Sequence, residues 1–211
     1  MNAEKVHPEI PNKGKTYVVA VSGASGSLYG VRLVKALAET GARVLVILSG
    51  AGRKVLIHEM GMTADETLLD FLLRYGVDKG AIYRVETFAP EEIAAAPASG
   101  SFVHNGMAVA PCSMKTLAAI AGGYADNLIT RSCDVALKER RPLILVPRET
   151  PFSVIHLENM TRAARAGAVI LPPSPSFYSF PETVTDVADT VVSRIMDHLG
   201  AEQRLTRRWG E

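Results

Sequence analysis

The chain has 211 residues, 47% of them hydrophobic, enough for one sizeable core, so a single folded domain is expected. Lys and Arg number 23 against 22 Asp and Glu, a formal charge of +1; no global basic field points to nucleic acid and no acidic excess to disorder. No apolar stretch reaches membrane-spanning length, the amino terminus lacks the apolar core of a signal peptide, and two cysteines are too few for a disulfide scaffold; a cytoplasmic protein without a membrane partner is expected.

Residues 1–15, MNAEKVHPEIPNKGK, are polar and broken by Pro and Gly, and predict a flexible leader ahead of one α/β domain over 16–211. TYVVAVSG (16–23) is a buried strand by its β-branched content. GASGSLYG then turns into an amphipathic helix, VRLVKALAET, ending at Gly41. A second strand, ARVLVILS (42–49), follows, with helical patterns at KVLIHEM (54–60) and DETLLDFLLRYG (65–76) and weaker strand character at 81–88. MAVAP (107–111) is a short strand, and SMKTLAAIAGG starts a helix with Ser113 as its N-cap. RSCDVALKERR (131–141) is helical, PLILVP (142–147) a strand, 151–167 helical and AVILPP (168–173) a strand; a proline-rich loop precedes a last helix over 184–200.

Continuous apolar strands alternating with helices predict a doubly wound parallel sheet with helices on both faces, Rossmann-like or flavodoxin-like. Ligands of such sheets bind beyond the strand carboxyl ends. There the first turn offers Gly23, Ala24, Ser25, Gly26 and Ser27, whose amides and helix terminus suit a phosphate, with an ordinary tight turn of polar residues as the alternative. The spacing is not GxGxxG, and Ser49 stands where a dinucleotide site has an acidic residue, so a mononucleotide such as FMN fits better. The PLILVP strand delivers Arg148 and Glu149, while Lys138 on the preceding helix adds a point charge. An anion site is one reading of this basic run; solvated helix ends, with Arg140 and Arg141 left in water, are the other. Glu59 lies in a helical stretch where partial desolvation raises a carboxyl pKa towards proton transfer, though a surface carboxylate is the alternative. The five histidines, His7, His58, His104, His156 and His198, form no ligand spacing, and Cys112 and Cys133 form no CxxC, so no metal site is expected.

Together GASGS, Ser49, PASGS, PCSMKTL, VALKERRPLILVPRETP, HLENM, GAVILPP, FY and the terminal RW resemble the UbiX-type flavin prenyltransferases over about residues 17–209. The resemblance implies that dimethylallyl phosphate is the prenyl donor and reduced FMN the acceptor at N5 and C6. The prenylated FMN then serves a UbiD-type decarboxylase. It implies Gly23, Ala24, Ser25, Ser49, Ser113, Met114, Lys115, Thr116 and Arg148 as FMN-binding residues, and Tyr178 and Arg194 as donor-phosphate contacts. Lys138, Arg131 and Glu149 match polar residues around that phosphate, Ser25 and Glu59 the pair handling protons near N5, and Ser99 and Trp209 the donor pocket. It further implies a homododecamer with sites at subunit interfaces. Preorganised Arg, Lys and Tyr donors would stabilise a departing phosphate as its charge grows. Two rivals share the fold: a cysteine decarboxylase, disfavoured because PASGS replaces that group's PASANT segment, and a non-enzymatic FMN carrier for a decarboxylase.

Overall fold

The computed structural model describes residues 12–207 and residue 210. Six strands, β1 (Thr16–Val21), β2 (Arg43–Leu48), β3 (Val85–Phe88), β4 (Gly106–Cys112), β5 (Leu143–Pro147) and β6 (Val169–Ile170), form one parallel sheet in the order β3-β2-β1-β4-β5-β6. Eight helices among the described residues cover its faces: α1 (Ser27–Glu39), α2 (Gly50–Met60), α3 (Leu68–Arg74), α4 (Lys79–Ile82), α5 (Met114–Gly122), α6 (Leu128–Lys138), α7 (Val154–Arg165) and α8 (Val184–His198). The expected doubly wound fold is the one observed, and its strand order reverses between β1 and β4, where such sheets open a ligand crevice.

Successive β1 residues point to opposite faces, which is why the strands read as unbroken apolar runs. Tyr17 and Val19 enter the core that includes α1 and α8 residues, while Val18 and Ala20 enter the one built with α5 and α6. A buried bidentate pair, Arg32 with Asp189 at 2.8 and 2.5 Å, ties α1 to α8. Cys112 and Cys133 are free and buried, and burial pushes the Cys112 thiol up to about 12, so it carries no thiolate at neutral pH.

Local chemistry moves several boundaries. The strand expected over 81–88 begins only at Val85, because Asp78 caps the Gly80 amide and winds α4 ahead of it. α6 starts at Leu128, three residues early, on a capping box between Asn127 and Thr130. It stops at Lys138, and Arg140 leaves it with a φ of 55°. Arg141 is not left in water: it donates to the Gly100 and Phe102 carbonyls at 2.7 and 2.6 Å, fastening the 99–105 segment under the amino-terminal edge of the sheet. Order also begins before Thr16, since Asn12 is buried and bonds Thr40 and the Glu202 carbonyl; residues 1–11 of the expected leader lie outside the described residues.

His104, on that fastened segment, is 4% exposed, and among the described residues its ring nitrogens make no hydrogen bond of good geometry, the Gly106 backbone offering only a weak one. Burial, with the Arg141 charge beside it, holds its pKa below the usual histidine value. An unfolded chain therefore binds a proton that the folded one refuses, so this contribution to stability is present above about pH 6.5 and falls away as pH drops. Denaturant titrations at pH 7.5 and 5.5 should show a smaller acid loss in His104→Phe than in the parent. Equal losses would remove His104 as the cause.

Candidate active site

The crevice is assembled from the turns that follow β1, β2, β4 and β5. After β1 the buried Ser22 donates from Oγ to the Pro111 carbonyl at 2.9 Å and accepts from the Ser113 amide at 2.8 Å, pinning the ends of β1 and β4 together. Ser113 caps α5 as expected, its Oγ accepting from the Thr116 amide at 3.3 Å and lying 3.0 Å from the Thr116 hydroxyl. Ser49 caps α2 through the Gly52 amide at 2.9 Å and lines a cleft of about 490 Å³ with Arg53 and Thr87.

Glu59, in the last turn of α2, reaches across to the start of α1. Its carboxylate accepts from the Gly26 amide at 2.9 Å and the Ser27 amide at 3.0 Å. Burial pushes its pKa up, but the Ser25 hydroxyl and these two amides outweigh that and hold it below the ordinary carboxylate value. Two expectations change. Glu59 is not a raised-pKa acid, and the α1 terminus is not open to a phosphate, because an anion of the chain itself already sits on its dipole. The pairing of Ser25 with Glu59 is present.

Arg148 follows β5, its amide bonded to the Cys112 carbonyl at 3.2 Å. Its guanidinium forms no ion pair among the described residues. It lines a cleft of about 370 Å³ with Ser25, Tyr29, Glu149, Phe152 and Ser174. Glu149 accepts from the Thr150 amide at 3.0 Å. Ser174 also borders a second cavity of about 640 Å³, which holds Tyr178 and Arg194, the latter paired with Asp197 at 2.8 Å. The Tyr178 loop is fastened to α8 where the Ser176 amide donates to Thr190 Oγ1 at 3.2 Å.

Lys138 does not join this group within one chain. It ends α6 at the opposite, amino-terminal edge of the sheet, ion-paired with Glu139 beside Gly100. Ser99 lies in the same neighbourhood, its hydroxyl 2.8 Å from that of Ser101, and Arg131 is paired with Asp134 at 2.7 Å. The basic run 138–148 therefore straddles the length of β5, so its two ends cannot share one anion in one chain. Trp209 lies outside the described residues. Ser22, Tyr29 and Ser174 were missed from sequence; only Ser22 carried a signal, as a hydroxyl closing the apolar run VVAV.

Hydroxyls, a guanidinium without an ion pair and open helix amides at α2 and α5 suit a phosphate monoester and an acceptor-rich ring, so the residues present fit FMN. Among the described residues no three His, Cys, Asp or Glu side chains cluster to hold a metal ion, and no helix is long and apolar enough to cross a membrane.

A family model described as Flavoprotein matches residues 6–197. Flavin prenyltransferase UbiX of Pseudomonas aeruginosa is 45% identical over 197 residues, covering 92% of this chain and 93% of that protein. The crystal structure of AnUbiX (PadA1) in complex with FMN and dimethylallyl pyrophosphate matches with a TM-score of 0.81 at 37% identity, covering 93% of this chain and 98% of that one. That of a dodecameric FMN-dependent Ubix-like decarboxylase from Escherichia coli O157:H7 matches with a TM-score of 0.80 at 40% identity, covering 93% of this chain and all of that one.

Proposed function

Because this chain belongs to the Flavoprotein family, and within it to the UbiX-type flavin prenyltransferases, we propose that it transfers the dimethylallyl group of dimethylallyl phosphate to reduced FMN. The observation that carries this reading is the Ser25–Glu59 pair, a hydroxyl backed by an ionised carboxylate, in the crevice that also bears Arg148. FMN, when bound, supplies the nucleophilic N5 and C6.

The chain's own residues supply the rest. Gly23, Ala24, Ser49, Ser113, Met114, Lys115, Thr116 and Arg148 hold the flavin mononucleotide at the strand ends. The Ser25 hydroxyl would take up the proton released from the acceptor nitrogen as it is alkylated while handing its own to Glu59, which is ionised at neutral pH and so takes protons rather than gives them. Tyr178 and Arg194 hold the donor phosphate and stabilise it as it departs. The donor thus sits in the cavity of Tyr178 and Arg194, which adjoins the Ser25 cleft at Ser174.

Lys138 and Ser99, with Arg131 on the same helix as Lys138, complete the donor site from a neighbouring copy, a reading favoured by the separation of Lys138 and Ser99 from Arg148 and by the dodecameric state of the Escherichia coli relative. Glu149 faces the donor from the crevice side. The product, prenylated FMN, is taken up by a UbiD-type decarboxylase, and a reducing cytoplasm suits both the reduced flavin and the two free thiols.

Anaerobic incubation of the protein with reduced FMN and dimethylallyl phosphate, followed by mass analysis of the released flavin, should give a product heavier by one C5 unit. Unmodified FMN from a protein that binds it would favour a carrier instead.

A further inference from the structure

We propose that the Tyr29 hydroxyl belongs to the ligand site, forming with the Arg148 guanidinium a two-donor seat for an anionic oxygen of a bound phosphate ester. Both residues line the 370 Å³ cleft between the ends of β1 and β5. Tyr29 sits in the first turn of α1, and its ring is set by the turn before it. Gly26, at φ 100°, presents no side chain, and a Cβ there would come within 3.0 Å of Cδ2 and Cε2 of the ring. One edge of the ring thus lies against the glycine turn, and Tyr29 lines the cleft beside it.

The chemistry of the two groups is matched. Burial raises the Tyr29 pKa and the Arg148 charge only partly lowers it, so the phenol stays protonated at neutral pH and can donate. Arg148 offers further donors and has no carboxylate partner among the described residues. The cleft's other acid, Glu149, bonds the Thr150 amide. A phenol and a guanidinium facing one space call for an acceptor with negative charge.

This inference rests on the prenyl-transfer reading only for the identity of the donor; FMN and dimethylallyl phosphate both carry the required chemistry, and the test separates them. Tyr29→Phe, Arg148→Gln and the double variant would be titrated with FMN by flavin fluorescence and with inorganic phosphate by calorimetry, then assayed for donor KM. Thermal unfolding would be recorded for each. Tyr29→Phe should weaken one ligand about five- to tenfold with an unchanged unfolding midpoint. Loss of FMN affinity assigns the seat to the flavin nucleotide; weaker phosphate binding and a higher donor KM at unchanged FMN affinity assign it to the donor. The double variant should lose less than the product of the single losses, as groups sharing one ligand atom do. Affinities for FMN and phosphate both within about twofold of the parent would overturn the proposal, and so would fully multiplicative losses. Absence of prenylated product from the parent would defeat the transferase reading while leaving both binding titrations decisive for Tyr29.

Discussion

Gly30→Ala is expected to destabilise the protein by about 2–3 kcal/mol, lowering the unfolding midpoint by roughly 5 °C or more. Gly30 lies in α1 where the helix crosses β4. A Cβ there would overlap the Ala110 carbonyl oxygen and come within 2.9 Å of Val21 Cγ2. The first obstacle is backbone of a fully buried strand, so it cannot swing aside as a surface side chain does; α1 would have to lift off the sheet. Its displacement would also pull on the Arg32–Asp189 pair. Gly122→Ala is the matched control: a Cβ there meets nothing within 4 Å, and the change should be neutral or slightly stabilising. Denaturant midpoints for the two variants check the contrast, and a stable Gly30→Ala would show that α1 is not seated as closely as described.

Glu59→Gln is expected to lower prenyl transfer about 10²-fold while FMN affinity stays within a few fold of the parent. Glutamine keeps one oxygen to accept from the Gly26 and Ser27 amides, so the start of α1 survives; what it loses is the charge that takes a proton from Ser25. The pH profile carries the same argument. A carboxylate whose pKa is depressed is ionised above its ordinary range, and protonation removes its function only as pH falls below it. Turnover in the parent should therefore be insensitive to Glu59 across neutral pH and fail on the acid side, a limb that Glu59→Gln should lack. Single-turnover flavin mass analysis from about pH 8 down to well below 4.5, the ordinary carboxylate value, measures both; unchanged turnover in the variant would end the case for Glu59 as proton acceptor.

Much of this architecture was legible because β1, β4 and β5 are buried on both faces and so advertise themselves as apolar runs bounded by glycine and proline. Ser113 was legible for a local reason, since an N-cap is decided within three residues. What escaped depends on distance in the chain. Glu59 and Gly26 are 33 residues apart, and nothing local at either shows that the carboxylate will occupy the helix terminus. Arg141 gave no sign that its guanidinium serves carbonyls 39 and 41 positions away. Lys138 and Arg148 look like neighbours in sequence, yet the five residues of β5 lie between them, and at about 3.3 Å per residue an extended strand sets its two ends far apart.

The close seating of helices on this sheet has a bearing on how the crevice can change. At Gly52 a Cβ would come within 2.6 Å of the Val21 carbonyl oxygen, and Gly30 meets that of Ala110 in the same manner, so at these two points α1 and α2 rest directly on main chain. The approach of these helices to the strands behind the crevice therefore depends on the two glycines themselves. A side chain at either glycine would disturb that seating, whereas ligand preference is left to the rim, where Phe152, Tyr178 and their neighbours stand exposed. A new specificity would be written there first, with the seating of α1 and α2 inherited intact.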